Sequence, residues 1–188
     1  MEIPSFTECM RQAEKKLSRI LDGRCCIKVH RDLTDELLSA IETIDHKKFR
    51  RELWYSRTEL DERKRSPGFL CLTASLDEVI IAFDYGYDDE EKSTFYSDST
   101  ATLIEGKGVG TTLFTLEIIH SYENGYRFTK LSTEEIDEKG RQLQRIWGRL
   151  GFETTHEDPV KGLEMKLEHS AKVIRSLYDR YISDRQMR

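Results

Sequence analysis

The sequence lacks the features that would place it in several large classes of protein. It contains no apolar run of about 18 residues, so no membrane span is expected. Residues 1–5 lack the charged and apolar regions of a secretory signal, and we therefore expect a cytoplasmic location. Basic residues are not in excess either, since 30 Lys and Arg face 35 Asp and Glu and give a formal net charge of −5. A nucleic-acid binder needs a clustered basic face, so we expect neither a nucleic-acid nor a membrane partner.

Metal-binding patterns are missing as well. The four cysteines and five histidines are scattered along the chain without ligand spacing. We therefore predict no metal site and expect the cysteines to be buried free thiols. With 188 residues the chain has the length of one domain, and residues 1–188 are interpreted as a single domain. The cysteines are Cys9, Cys25, Cys26 and Cys71.

What the chain does have is a glycine-rich loop between a predicted strand and a predicted helix, Glu105-Gly106-Lys107-Gly108-Val109-Gly110. Three glycines within this loop allow a sharp turn and a close approach of the backbone to another group. The loop N–H groups converge at a helix N-terminus, where unsatisfied donors and the helix dipole favour an anion. The loop therefore predicts a phosphate site, and a structural turn that binds nothing is the alternative. The residues assigned to this site are Gly106, Lys107, Gly108, Val109, Gly110 and Thr111.

Two common phosphate loops do not match this segment. The Walker pattern ends in Gly-Lys-Ser/Thr, whereas Gly110 is followed directly by Thr111. The dinucleotide pattern G-x-G-x-x-G also fails, because its third glycine would fall on Thr111 or Leu113. The loop alone is therefore weak evidence, and the elements that follow it are more informative.

The elements after the loop have the order helix, strand and helix. A helix over 110–123 stops at Asn124-Gly125, a strand follows, and a second helix ends at Gly151-Phe152. This order resembles the GNAT superfamily of acetyl-CoA-dependent N-acetyltransferases. In that family the loop motif is Q/R-x-x-G-x-G/A, and Glu105 to Gly110 matches both of its glycine positions. The second helix of the family usually reads N-x-x-A-x-x-x-Y-x-x-x-G-F, a spacing that Gly140 to Phe152 keeps.

The resemblance covers Cys25 to Glu168 and implies an α+β (mixed α/β) fold, with a central, mostly antiparallel sheet flanked by helices. Residues 25–168 would form the GNAT-like acetyltransferase core. Within the core, the capping box Ser56-Arg57-Thr58-Glu59 predicts a helix from about Arg57, and strands are predicted over Cys25–His30, Phe69–Ala74, Glu78–Tyr85 and about Gly162–Glu168. Apolar stripes predict further helices, over Phe6–Leu21 in an N-terminal extension, 1–24, and over about Ser170–Ser183 in a C-terminal extension, 169–188. These helices either pack on the core or form a dimer contact, so we expect a monomer or a homodimer. The stripes are Phe6, Met10, Ala13, Leu17 and Ile20, and Ala171, Ile174, Leu177, Tyr178 and Tyr181.

Several positions depart from the family pattern. Glu105 replaces Gln or Arg, Gly140 replaces Asn, and Leu143 replaces Ala. We expect the Glu105 side chain to point away from a bound phosphate, with the backbone amides and Lys107 supplying the attraction. Trp147 replaces a Tyr that is credited in the family with protonating the departing CoA thiolate, and an indole N–H cannot do this. Trp147 is kept as a residue that contacts the cofactor.

By the same resemblance, acetyl-CoA is the co-substrate, and its pantetheine arm lies along Asp98, Ser99 and Thr100. In the family this strand carries a bulge that exposes an N–H to the thioester oxygen. Family members often use a carboxylate as the general base, and the candidates here are Asp98 and Glu134, with Asp84 in reserve. A general acid could be one of Tyr85, Tyr87 and Tyr96, or solvent alone.

The resemblance thus implies transfer of an acetyl group from acetyl-CoA to a primary amine of a small molecule or peptide. The acidic stretch Asp88-Asp89-Glu90-Glu91 is interpreted as a solvated hairpin turn, and its alternative role is to attract a cationic amine. The main alternative function is a CoA-binding regulatory module without turnover, and Trp147 is its sequence support. An interaction protein that uses its terminal helices is compatible with either reading. The sequence does not identify the acceptor.

Overall fold

A single sheet organises the chain. The computed structural model describes residues 3–159 and 162–184, and in this part of the chain the sheet has seven strands. They are β1 (Cys25–His30), β2 (Leu70–Leu76), β3 (Val79–Asp88), β4 (Thr94–Thr102), β5 (Phe128–Thr133), β6 (Glu153–Asp158) and β7 (Gly162–Glu168). Their order across the sheet is β1-β2-β3-β4-β5-β7-β6. All neighbours pair antiparallel except β4 and β5, which are parallel, so the predicted mostly antiparallel sheet is confirmed.

Helices cover both faces of this sheet. They are α1 (Phe6–Leu21), α2 (Asp35–Lys48), α3 (Arg57–Arg63), α4 (Val109–Glu123), α5 (Leu143–Leu150) and α6 (Ala171–Leu177). A short 3-10 turn, Arg51–Leu53, lies between α2 and α3, and a π-helical turn, Tyr178–Ile182, extends α6. The predicted α+β fold class is therefore confirmed.

Hydroxyl side chains begin four of these helices. The hydroxyl oxygens of Ser5, Thr34 and Ser170 each accept a hydrogen bond from the backbone N–H three residues further on. Ser56 and Glu59 cap each other's backbone N–H groups at the start of α3, which confirms the capping box predicted from the sequence. Such caps satisfy donors that the first helical turn leaves without an intrahelical partner.

The sheet separates two apolar clusters. One cluster lies under α1, α4 and α6 and contains Leu17, Leu72, Leu113 and Ile174. The other lies under α2 and α3 and contains residues such as Ile41. The helices of both terminal extensions therefore pack on the same core as the sheet. Their apolar side chains lose water contact there, which is the main favourable term in folding.

Two predicted stripes are wrong in detail. In α1 Cys9 is buried together with Phe6, Ala13 and Leu17, whereas Ile20 remains 37% exposed. The predicted C-terminal helix 170–183 is α-helical only to Leu177, and the π turn follows. A π turn has more residues per turn than an α-helix, so it moves Ile182 into the core and leaves Tyr181 half-buried.

The β2–β3 hairpin also differs from its predicted bounds. Asp77 and Glu78 have φ values of 47° and 72°, a turn conformation that ends β2 and delays β3. β3 therefore begins at Val79 rather than at Glu78, and it continues to Asp88 rather than ending at Tyr85. This extension carries Tyr87 along the centre of the sheet.

Candidate active site

The parallel pair β4 and β5 separates soon after it forms. Residues 94–96 of β4 pair with residues 128–130 of β5, and no further pairs join the two strands within the described chain. β4 continues to Thr102 and β5 to Thr133. Their facing edges therefore keep backbone N–H and C=O groups that no neighbouring strand satisfies. Such groups need partners, so this gap is suited to a ligand that offers hydrogen bonds.

A β-bulge lies where β4 leaves β5. Tyr85 of β3 pairs with Ser99, whereas the next residue, Gly86, pairs with Ser97, so Asp98 is the extra residue. A bulge bends the strand and leaves one residue out of the ladder. Glycine is required opposite the bulge, because a Cβ on Gly86 would lie 2.3 Å from the Tyr96 carbonyl oxygen. The bulge expected for this strand is therefore present, directly before the half-buried residues 99 and 100.

The glycine loop joins β4 to the N-terminus of α4. Gly106 and Gly108 have φ values of 72° and 77°, and a Cβ on either glycine would meet no atom within 4 Å. Gly108 caps α4 without any side-chain hydrogen bond, and the N–H groups of Val109, Gly110 and Thr111 have no partner among the described residues. The loop thus leaves open space in front of free donors at the positive end of a 15-residue helix. These observations fit a phosphate group.

The carboxylate of Glu105 is held by lysines. Lys48 Nζ lies 2.8 Å from Glu105 Oε1, and Lys139 Nζ lies 3.8 Å from the same oxygen. The hydrogen bond and charge of Lys48 lower the pKa of Glu105, so this side chain is ionised at neutral pH. Its negative charge is balanced by the two lysines, which lessens repulsion of a phosphate at the adjacent loop.

Trp147 lies beside the end of β5. Its indole N–H donates to the Thr133 hydroxyl oxygen at 3.2 Å, and its ring centroid lies 4.8 Å from that of Phe114 on α4. The side chain is half-buried between α5 and the sheet. It fills space on the β5 side of the gap, and its one polar hydrogen is already used. The contact with a cofactor stays a prediction.

Asp98 projects from the bulge toward α3. Its Oδ2 accepts hydrogen bonds from Arg63 Nε at 2.7 Å and from the Tyr87 hydroxyl at 3.0 Å, while Oδ1 accepts one from the Tyr55 hydroxyl at 3.0 Å. The Asp98 side chain is only 3% exposed. The Arg63 guanidinium also lies over the Tyr55 ring, 3.7 Å from its centroid. Asp98 is therefore a buried carboxylate neutralised by one arginine and oriented by two phenols.

Glu134 follows β5 directly and is paired differently. Arg50 holds its carboxylate through two guanidinium nitrogens, and Glu138 lies 3.7 Å from the same guanidinium. The Glu134 side chain is 37% exposed, so water reaches it. Both predicted bases are thus ion-paired with arginines, one in a dry setting and the other at the surface. Their role in proton transfer stays a prediction.

The reserve base, Asp84, lies on the other face of the sheet. It is fully buried against Glu117 of α4, and the oxygens of both carboxyls lack hydrogen-bond partners among the described residues. Burial raises the pKa of Asp84 to about 8, and burial together with the neighbouring Asp84 raises the pKa of Glu117 well above its ordinary value. Burial therefore favours the neutral, protonated form of both carboxyls. Asp84 therefore faces the α4 core and is shielded from solvent.

The three tyrosines considered as general acids lie close to the Asp98 carboxylate. Burial raises the pKa of Tyr85, Tyr87 and Tyr96, and the Asp98 carboxylate raises each of them further. Tyr87 donates to Asp98, and the Tyr85 hydroxyl is buried with no partner among the described residues. A raised pKa makes each phenol a weaker acid, so none of them is well suited to protonate a thiolate.

The acidic stretch 88–91 forms the β3–β4 turn, at the opposite end of β4 from the glycine loop. Asp89 pairs with Lys130 at 2.6 Å and Glu91 pairs with Lys166, while Asp88 accepts a hydrogen bond from Tyr126. The hairpin turn predicted from the sequence is present. Lysines of β5 and β7 offset two of its charges, which weakens any field toward the site.

Several side chains at the candidate site and beneath it have no distinct signal in the sequence. They are Arg50, Tyr55, Arg63 and Glu117. The contacts between Arg63 and Asp98 and between Arg50 and Glu134 join residues 35 and 84 positions apart. Only the capping box could have helped, because it predicts the helix that carries Arg63.

Comparison with known proteins relates this fold to acetyltransferases. No protein-family model matches the chain, and no curated protein matches it in sequence. Among solved structures, the ribosomal-protein-S18-alanine N-acetyltransferase from Escherichia coli is 13% identical, with a TM-score of 0.60 and 86% of this chain and 97% of that one covered. The PaiA N-acetyltransferase from Thermoplasma acidophilum, in complex with coenzyme A, is 16% identical with a TM-score of 0.59, over 76% and 99% of the chains.

A third similar structure is aminoglycoside 6'-acetyltransferase type Ii, which is 15% identical with a TM-score of 0.64, over 76% of this chain and 96% of that one. Identities this low show the fold alone. The chain therefore has the GNAT fold, and the resemblance drawn from the glycine loop and the Gly-Phe motif is confirmed.

Two further features of the described residues bear on other classes of function. Within residues 3–159 and 162–184, no helix combines the length and the apolar character needed to cross a bilayer. In the same part of the chain, His, Cys, Asp and Glu side chains form no group of three or more that is arranged for a metal ion.

Proposed function

We propose that this protein is an acetyl-CoA-dependent N-acetyltransferase that acts on a primary amine of a small molecule or peptide. The observation that carries the proposal is the separation of β4 from β5 after three residue pairs, with the bulge at Asp98 on one side of the gap. A folded sheet rarely leaves such edges unpaired in its centre unless a ligand uses them.

The acyl donor would be held by the two ends of this gap. The free N–H groups of the loop, with Lys107, would bind the diphosphate of acetyl-CoA. The edge of β4 at Ser99 and Thr100 would hydrogen-bond the pantetheine arm, and Trp147 would bound it on the β5 side. The fit rests on the open space before Gly106 and Gly108 and on the balanced charge of Glu105.

The chemistry requires a neutral amine and a stabilised carbonyl oxygen. The amine nitrogen forms a bond to the acetyl carbon, the carbon–sulfur bond breaks, and the nitrogen loses one proton to a base. Asp98 and Glu134 are the proposed bases. A backbone N–H at the bulge would face the charge that develops on the carbonyl oxygen, and one such donor is worth on the order of 3 kcal/mol. Solvent would protonate the thiolate, since a thiol of pKa about 8.5 is a fair leaving group.

Acetyl transfer is tested by incubating the protein with acetyl-CoA and a panel of primary amines while free thiol is measured. We expect thiol release that depends on both the amine and the protein. Isothermal titration with CoA is run in parallel. CoA binding without amine-dependent thiol release would instead support the regulatory module, which the tryptophan at position 147 favours. No heat with CoA would refute both functions.

The phosphate site has a matched pair of variants. Gly108→Asp adds a carboxylate where the diphosphate is expected, and we expect it to weaken CoA binding by more than about tenfold. Gly125→Asp is the control, because Gly125 also has a positive φ, of 84°, and also has open space around its Cβ position. It lies at the opposite end of α4. Equal CoA affinity in the two variants would contradict the site assignment.

A further inference from the structure

The contact between Arg63 and Asp98 has the composition of a site for an organic cation. We propose that the Asp98 carboxylate and the Tyr55 ring bind the cationic nitrogen of the acceptor, and that Arg63 occupies this site while no acceptor is bound. The inference rests on the proposed acetyl-transfer function and names the chemistry of its acceptor side, an alkylammonium group, for which an alkylguanidinium ion is a non-reacting mimic.

The composition of the site supports a cation. A carboxylate oxygen accepts from the Arg63 guanidinium at 2.7 Å, and the guanidinium carbon lies 3.7 Å from the centroid of the Tyr55 ring. An aromatic face and a carboxylate together attract organic cations, the more so where water is scarce. Because Asp98 is 3% exposed, leaving its charge without a cation would be costly. The carboxylate therefore favours a bound cation, whether that cation belongs to the protein or to a ligand.

The carboxylate would keep its orientation when the cation is exchanged. The Tyr55 and Tyr87 hydroxyls each donate to Asp98 at 3.0 Å, one to each oxygen. These bonds come from the segment before α3 and from β3, so they do not require Arg63. Without Arg63, the Asp98 carboxylate would therefore already be oriented to accept a hydrogen bond from a bound cation.

The position of Arg63 at the end of a short helix would allow its side chain to move away from Asp98. It is the last residue of α3, a helix of seven residues in which Leu60 is the buried side chain. Its own side chain is 23% exposed. A short helix with one buried side chain is weakly held, and such segments supply the moving parts of binding sites. Replacing the Arg63 contact by a ligand contact would release the end of α3 toward solvent.

The position of Asp98 connects this site to the proposed reaction. Asp98 is the bulged residue of β4 and precedes Ser99, which lies on the strand proposed to hold the acyl donor. A nitrogen bound to Asp98 would be next to that strand. The same carboxylate would then receive the proton that the nitrogen must lose before attack.

The first test measures binding without any acyl donor. Ethylguanidinium chloride is titrated into the wild type and into Arg63→Ala by calorimetry, with neutral ethylurea and matched sodium chloride as ligand controls. If Arg63 fills the site in most molecules, its removal should tighten ethylguanidinium binding by more than about tenfold. Arg57→Ala is the matched protein control, because Arg57 is on the same helix and pairs with Asp35 and Glu42 instead. Ethylguanidinium should bind Arg57→Ala as tightly as it binds the wild type.

Two outcomes would overturn the inference. One is an affinity of Arg63→Ala for ethylguanidinium no higher than that of Arg57→Ala. The other is binding that persists in the double variant Arg63→Ala/Asp98→Asn. If Arg63→Ala does not fold, Arg63→Gln replaces it, and the wild type is examined by amide hydrogen exchange. Saturating ethylguanidinium should speed exchange of residues 57–63 in the wild type, and unchanged exchange would refute the release of Arg63.

Steady-state kinetics separates this inference from the proposed function. If acetyl transfer is detected, Arg63→Ala should lower KM for a cationic amine more than it changes kcat, and a KM that does not fall would refute the cation site alone. If ethylguanidinium binds as expected and no amine is acetylated, the proposed reaction fails and the cation site stands.

Discussion

The two faces of the sheet treat buried carboxylates in opposite ways. On the α3 face, Asp98 is dry but has an arginine and two phenols around it. On the α4 face, Asp84 and Glu117 are equally dry, and their oxygens have no hydrogen-bond partner among the described residues. A buried charge persists only when it is paired, and an unpaired acid takes up a proton instead. The face with the paired charge is the one that borders the proposed reaction.

The largest expected effect that tests this comparison is on the α4 face, where the free energy of unfolding should depend on pH through Asp84. The pKa of Asp84 is raised from its ordinary value to about 8 in the folded protein. Between these values the folded chain keeps a proton that the unfolded chain has lost, so stability falls as pH rises, by at most about 1.4 kcal/mol per pH unit. The contribution of Asp84 to this fall levels off above about pH 8, and Asp84→Asn should remove that contribution.

The measurement is urea unfolding of both proteins at several pH values between about 5 and 8. The variant should gain stability relative to the wild type at each step toward higher pH. Glu117→Gln should give the same sign, since burial raises the pKa of Glu117 too. Parallel curves for wild type and variants would show that the pair is not protonated in the folded state.

The next effect is on the α3 face, where a charge is paired. Asp98→Ala leaves Arg63 without its carboxylate and two phenols without their acceptor, and we expect a loss of about 3 kcal/mol of unfolding free energy. Asp35→Ala removes the carboxylate of an ion pair whose acid is 96% exposed, and it should change stability little. Equal losses of unfolding free energy in Asp98→Ala and Asp35→Ala would show that the Asp98 ion pair stabilises the fold no more than a surface ion pair does.

The smallest effect concerns Glu134, which is paired but exposed. Glu134→Ala should shift the urea midpoint far less than Asp98→Ala, because water screens the contact with Arg50. Even this small shift should decrease in about 1 M salt. A shift as large as that of Asp98→Ala, or one insensitive to salt, would mean that the two acids share the same environment.

Local patterns predicted the elements well. The bounds of α1, β1 and β7 agree with the prediction. The Ser5 hydroxyl caps the start of α1, and Gly162 begins β7. The glycine loop was predicted at the start of α4, and it lies there. The predicted bounds are wrong where tertiary packing overrides the local sequence preference, as at the π turn after Leu177. There the chain changes its helical period to bury Ile182.

The candidate site likewise contains residues that local patterns predicted and residues that only tertiary packing brings together. Asp98 was predicted from its place in a family pattern, but nothing near it in the sequence indicates Arg63, which lies 35 positions away. Glu117 gave no signal either, because one carboxylate in an apolar helix does not show which face of the helix is buried. Both partners are chosen by how α3 and α4 lie on the sheet.

The sequence by itself determined where the helices and strands lie, where the glycine loop turns, and which superfamily pattern the chain resembles, because caps, glycines and apolar spacing act over a few residues. Only the tertiary structure decided which carboxylates keep their charge. A pKa depends on solvent access and on partners brought from distant segments, and both exist only once the helices pack against the sheet.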